Sequence, residues 1–305
     1  MSEPINPFCL PDSLGELLCP WEHASHRELY VDLDNAGQAF EEFVGAMGDL
    51  TTFLEYGRLV LVTGESGCGK SALVHRCVDR VVEDLKRRGE RSMTIDLTGV
   101  LDGRAAQPVE KRLSLACDSL FAKLQQKRAL KPEDAQYLRP DRDWPDRLYP
   151  LVRNALVDDR VLIILLPSPV ELADEVIRYG GLAEPKMLFV VESALLDEQG
   201  RYAIRNSLTR IPPITLNVGA LRPGDVRTFI KDRLTRHSDR GIYPGMTEET
   251  MNAVARLLQS VAQLQRALSA TYNTLLHSGR RYDKDSFVTV DDVRQEIKRW
   301  LEGGP

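Results

Sequence analysis

Residues 58–71 read RLVLVTGESGCGKS, an apolar run that passes directly into a glycine-rich turn ending in Lys-Ser. Leu59, Val60, Leu61 and Val62 have the continuous apolar character of a strand buried on both faces. Beyond the turn, Leu73, Val74, Cys77, Val78, Val81, Val82 and Leu85 recur at helical spacing. Glycines at 64, 67 and 69 let the backbone between them wind closely around an anion, with consecutive N–H groups pointing inward. Strand, glycine-rich turn and helix in this order make Gly64-x-x-x-x-Gly69-Lys70-Ser71 a phosphate-binding P-loop. The predicted cradle is Gly64, Glu65, Ser66, Gly67, Cys68, Gly69, Lys70, Ser71 and Ala72. In it Lys70 reaches the β/γ-phosphates, the Ser71 hydroxyl ligates Mg²⁺, and the helix start adds its positive dipole end. The chain is read as binding a nucleoside triphosphate with Mg²⁺.

Around this motif the pattern is that of an α/β protein. Residues 92–97 (SMTIDL), 161–166 (VLIILL), 187–191 (MLFVV) and 214–218 are further strands, and the spacers between them are long enough for helices. Residues 36–56, 109–127 and 140–157 are expected to be helical, the last broken by Pro145 and Pro150. This order predicts a doubly wound parallel sheet with the nucleotide at the carboxyl edge of its strands. After residue 220 the pattern becomes wholly helical. Pro223 and Asp225 open one helix, Thr247 caps a second, Val261 to Leu275 form a third, and Thr289 with Asp292 caps the last. The expected organisation is an N-terminal arm (1–35), a P-loop αβ domain (36–220) and a C-terminal helical lid (221–305).

Bulk properties exclude some classes. With 305 residues, 43% hydrophobic and 28% charged, the chain is long enough for a sizeable core and has no run that approaches a membrane span. No basic-then-apolar leader opens it, so no membrane partner is expected. One of its five cysteines, Cys68, lies inside the P-loop, where a disulfide would be disruptive, so reduced thiols and a cytoplasmic location are expected. Cys9, Cys19, His23 and His26 match no zinc spacing. The net charge is −5, but residues 201–241 carry about +6 and the remainder about −11. That basic stretch is either a solvated helix face or a surface that meets a neighbour's nucleotide or a nucleic-acid backbone.

A P-loop αβ unit followed by a small helical unit resembles the AAA+ and STAND superfamily of ATPases. The join RIPPITLNVGALRPGDVRTFIKDRL (210–234) is similar to the family's link from last strand to lid. The resemblance covers residues 36–301. It implies ATP with Mg²⁺ and assembly into homo-oligomers with nucleotide between subunits. It also implies a separate protein effector or sensor, since family members of the STAND kind carry such domains on the same chain.

Carried over residue by residue, the resemblance fails where hydrolysis is performed. The third strand should end in paired acids, one holding the Mg²⁺ water and one activating the attacking water. Here it ends Leu165-Leu166-Pro167-Ser168; Asp158 and Asp159 precede the strand, and Glu171 lies a few residues past it. Asp96, in Asp96-Leu97-Thr98-Gly99, is either a metal-side acid or a turn aspartate. No Asn-Lys-x-Asp element accompanies it, which argues against a GTPase. Glu192 ends the fourth strand, where the family places a polar sensor, and either orients water or is a solvated strand end. Arg210 stands where the family has an arginine finger, with Arg201 and Arg205 as alternatives on the same segment. The lid's sensor arginine falls at Gln263, with Arg266 as substitute. His75 and His277 are expected to be packed side chains.

Lys70, Glu192 and Arg210 are thus the candidate catalytic groups, and Ser71 and Asp96 the candidate metal ligands. The expected function is an ATP-binding switch whose nucleotide state controls oligomerisation or partner binding, with weak or partner-dependent hydrolysis. Two alternatives stay open: a DNA-associated ATPase of the replication-initiation or transposition-regulator kind, with 201–241 as its nucleic-acid surface, and a non-hydrolysing ATP-bound scaffold.

Overall fold

The computed structural model describes residues 3–9, 18–104, 106–170, 172–193, 196–236 and 238–303. The first part of the chain runs α1 (Asp34–Met47), α2 (Thr51–Tyr56), β1 (Arg58–Gly64), α3 (Lys70–Arg87), β2 (Ser92–Asp96), α4 (Val109–Gln126), α5 (Pro132–Leu138), α6 (Pro145–Ala155) and β3 (Val161–Leu165). It continues α7 (Leu172–Gly181), β4 (Met187–Ser193), α8 (Glu198–Ser207), β5 (Ile214–Val218), α9 (Pro223–Arg236), β6 (Gly245–Met246), α10 (Glu248–Leu257), α11 (Val261–His277), β7 (Phe287–Val288) and α12 (Val290–Gly303).

Strands β1 to β5 form one parallel sheet in the order β2-β3-β4-β1-β5, the doubly wound sheet expected. Parallel strands need crossovers, so both faces are covered and the central strands can be apolar throughout. Every residue of β3 is buried. One apolar layer packs α4, α6 and α7 on one face; the other packs α1 and α3 on the opposite face. A third cluster lies among α9, α10, α11 and α12 and includes Phe8 from near the amino terminus.

Several local expectations needed correction. The single helix over 36–56 is two helices, because Gly48 (φ 53°) and Leu50 (φ 66°) turn the chain out of the helical region. Asp49 then accepts the Thr51 N–H at 3.0 Å and starts α2. The helix over 140–157 begins only at Pro145, where proline's missing N–H costs nothing, and α5 precedes it. The region after 220 is not wholly helical, since β6 and β7 pair in a small parallel sheet. Residues 3–9 do not trail free: Ile5 N–H donates to Ile242 at 3.0 Å, and Phe8 packs on Phe229 and Tyr272 with ring centroids 6.3 and 5.1 Å away.

The caps behave as the sequence indicates. Thr247 accepts from Thr250 N–H at 3.2 Å, and Thr289 and Asp292 exchange reciprocal bonds at 2.9 and 3.3 Å. No helix among the described residues is long and apolar enough to cross a membrane.

Candidate nucleotide site

β1 delivers the P-loop because its Leu59–Val62 core is sealed between β4 and β5, leaving Gly64 at the sheet's carboxyl edge. Two glycines there are required by close approach. A Cβ on Gly64 would lie 2.5 Å from the Val218 carbonyl oxygen, and one on Gly67 (φ 77°) would lie 3.0 Å from Ser260 Oγ. The loop hands over to α3 at Lys70, so the first N–H groups of an eighteen-residue helix face the loop. The Lys70 ammonium donates to the Glu65 and Gly64 carbonyls at 2.7 and 3.1 Å. These shapes fit a polyphosphate: a close-wound backbone, helix N–H donors and one lysine ammonium.

Ser71 and Glu192 meet. The Ser71 hydroxyl lies 2.8 and 3.0 Å from the two Glu192 carboxylate oxygens. A hydroxyl beside a carboxylate, both oxygen donors, suits a hard cation such as Mg²⁺, which keeps waters and takes its other ligands from phosphate. The structure brings together the cradle, Lys70, Ser71 and Glu192.

Asp96 ends β2 on the far side of β3 and β4 from β1, and its Oδ1 accepts from the Thr98 N–H and hydroxyl at 2.8 and 2.7 Å. This is the geometry of a turn aspartate. Lys123 also donates to the Asp96 carbonyl. Among the described residues, no three His, Cys, Asp or Glu gather to hold a metal ion.

Arg210 lies at the other end of the sheet, just before β5, with its guanidinium 5.5 Å from the Tyr56 ring centroid. It does not approach its own P-loop. Arg266 stacks on Trp300 at 4.5 Å, while Gln263 accepts the Gln259 N–H at 3.4 Å. His75 is a packed side chain, its Nδ1 2.6 Å from the Leu18 carbonyl and its ring 4.8 Å from Trp21. Burial pushes its pKa below the usual 6.5. His277, by contrast, is exposed at the end of α11. Glu171 lies outside the described residues.

The end of β3 has a different solution. Arg112 of α4 and Glu175 of α7 form a fully buried ion pair, Nε to Oε1 at 3.0 Å. Arg112 also donates to the Ser168 carbonyl at 2.9 Å, and Glu175 Oε1 accepts the Val170 N–H at 3.0 Å. The turn after β3 is clamped from both sides. Sequence reading missed this pair because its members stand far apart in the chain and on different helices.

It also missed Asn35, and it read Asp225 as a helix opener without its bond to α1. Asn35 is buried, and its amide donates to the carbonyls of Cys68 and Gly219 at 3.0 and 3.1 Å, joining α1 to the P-loop and to the exit of β5. Asp225 accepts the Asp34 and Arg222 N–H groups at 2.8 and 2.7 Å, joining α1 to α9. The α9–α12 region touches the P-loop directly: Ala262 N–H donates to the Gly67 carbonyl at 3.2 Å from the first turn of α11, which Ser260 caps.

No protein-family model matches the chain, and no curated protein does. Solved structures do. The Aeropyrum pernix ORC2 protein, in its ADPNP-ADP complexes, is similar with a TM-score of 0.56 at 15% identity, over 97% of this chain and 72% of that one. Cdc6p from Pyrobaculum aerophilum gives a TM-score of 0.57 at 14% identity, over 88% and 69%. The fold is that of the AAA+ P-loop ATPases. A third AAA+ structure, the Aeropyrum pernix ORC1 protein in complex with DNA, gives 0.52 at 15% identity, over 95% and 68%.

Glu192 lies on β4, between β1 and β3. Four of the nine basic residues of 201–241 are engaged elsewhere. Arg233 is buried, Arg236 pairs with Asp232, Lys231 pairs with Glu248, and Arg210 sits at the far end of the sheet.

Proposed function

We propose that this chain is an ATP-binding switch of the AAA+/STAND kind, in which ATP with Mg²⁺ controls self-assembly or the binding of a separate effector. The observation that carries this reading is the contact of α11 with the tip of the P-loop. A group that fills the cradle must press on Gly67, and Gly67 touches Ser260 and Ala262. Nucleotide occupancy and the position of the helical region are thereby coupled through one loop. Residues 36–220 act as the nucleotide-binding unit and 221–305 as the lid.

In this reading the Gly64–Ala72 backbone and Lys70 hold the phosphates. Ser71 and Glu192 hold the Mg²⁺ side, with Asp96 at the end of β2 as the further candidate acid. Mg²⁺ held there would supply charge neutralisation for the phosphates. Glu192 orients water, and Arg210 serves a neighbouring copy's nucleotide rather than its own. With no acid at the end of β3, turnover is weak or completed by a partner. Such a protein would work in the cytoplasm, as an assembly of copies.

A second reading is a DNA-associated ATPase, favoured by the likeness to a fold relative solved with DNA. It predicts DNA binding that weakens steeply with salt, and the engagement of Arg210, Lys231, Arg233 and Arg236 elsewhere counts against 201–241 as its surface.

The test is sedimentation of the wild type and Lys70→Ala without nucleotide, with ATP–Mg²⁺, and with a non-hydrolysable analogue. The switch reading expects an oligomer that ATP–Mg²⁺ or the analogue builds and Lys70→Ala cannot form. A wild type that binds ATP but never changes its assembly would overturn it.

A further inference from the structure

β1 connects two sites. Its carboxyl end becomes the P-loop, while its first residue, Arg58, lines a cleft of about 540 Å³ at the opposite edge of the sheet. That volume lies within the range of small-molecule sites. Its lining mixes polar and apolar surface, with Tyr56, Leu59, Leu208 and Ile211 among the apolar residues.

Two arginines, Arg58 and Arg210, line this space, and neither has an ion-pair partner among the described residues. Arg58 is half-buried, and its Nε is out of solvent with no hydrogen-bond partner. A buried guanidinium N–H without an acceptor is costly and calls for one. Arg210 stands at the mouth with its guanidinium over Tyr56, whose ring is half exposed. Two planar forks beside an aromatic face are the arrangement that recognises a planar oxyanion. Glu55 and Glu184 also line the cleft, so its formal charge is balanced. Those carboxylates would repel a polyphosphate while leaving a single anionic group acceptable.

We propose that this cleft is a ligand site for a small monoanion, with a carboxylate seated between Arg58 and Arg210 and an apolar or aromatic body lying against Tyr56. The site is separate from the P-loop and does not depend on nucleotide binding. Occupancy would engage Arg210, the same guanidinium that the switch reading assigns to a neighbouring copy. A ligand here would then compete with assembly.

Calorimetric titration of the full chain carrying Lys70→Ala, which weakens anion binding at the P-loop, tests the proposal. Benzoate probes the carboxylate with an aromatic body, and inorganic phosphate and tripolyphosphate probe the headgroup alone and the polyanion. Benzoate should bind saturably at one site per chain and more tightly than either phosphate. Arg58→Gln and Arg210→Gln should each weaken it at least tenfold, with circular dichroism unchanged. Arg210→Gln alone guards against misfolding, since that side chain is exposed. Tripolyphosphate binding tightest at this cleft would overturn the assignment of ligand class. Benzoate that does not saturate, or that binds equally well to Arg210→Gln, would overturn the site.

Discussion

The carboxyl ends of β1 and β3 belong to one sheet and lie within two strand spacings of each other, yet they are built for opposite purposes. At the end of β1 the backbone turns at glycines, leads into the first turn of α3, and carries a lysine that donates to carbonyls of its own loop. At the end of β3 the turn is shut, with Arg112 and Glu175 buried beneath it and bonded to its backbone on both sides. One end is adapted to receive an anion, the other to stay still. Binding needs the first. In the proposed function turnover would call on an acid at the second, where Leu166, Pro167 and Ser168 supply none. Under the proposed function, that difference would separate nucleotide recognition from nucleotide chemistry within a single sheet.

The largest effect should come from breaking the clamp. Glu175→Leu leaves Arg112 buried without its carboxylate and should cost about 3–5 kcal/mol of stability, read by urea denaturation. The double variant Arg112→Met with Glu175→Leu should regain most of that loss, because two apolar groups leave no charge stranded. If Glu175→Leu alone is nearly neutral, the β3 turn is not clamped as described. At the other end, Lys70→Ala should weaken ATP–Mg²⁺ binding by about 100-fold or more while leaving the fold intact, since charge-assisted contacts to phosphate are lost. Equal loss of stability in both variants would erase the contrast between the two ends.

Glu192→Gln sharpens the comparison, because it lies on β4 between them. It should leave ATP affinity within a few-fold and lower residual phosphate release by roughly 100-fold, the scale for losing a water-orienting group. A variant with unchanged release would show that Glu192 takes no part in chemistry. The smallest effect concerns His75, one turn past Ser71. Burial lowers its pKa in the folded chain below the unfolded value of 6.5, so below that pH the unfolded chain binds the extra proton. Stability should fall as pH drops through 6.5 towards the folded value and be level once both states are protonated. His75→Gln should flatten that slope.

How much of this could be read from the residues alone follows from the range of the interactions. The P-loop and the five parallel strands are local patterns, and the sequence of glycines, apolar runs and spacers is enough to draw them. The caps at Thr247 and at Thr289–Asp292 are equally local. The missing acid at the β3 end was visible as an absence, but what replaced it was not. Arg112 and Glu175 are 63 residues apart, and nothing in their neighbours marks them as partners. Asn35 reached the P-loop from a segment assigned to the arm, and Phe8 became core by crossing to the C-terminal helices. The break at Gly48–Leu50 was missed because apolar periodicity continues across it and masks the positive φ values.

The central claim is that this chain recognises nucleotide at β1 and lacks the means to consume it rapidly at β3. The most direct test is to measure ATP–Mg²⁺ binding and phosphate release on one wild-type sample, across the concentration range over which it assembles. The account predicts saturable binding, with release that stays slow in the free chain and rises only with assembly or an added partner. Rapid multiple turnover by the isolated monomer, undiminished in Glu192→Gln, would contradict it.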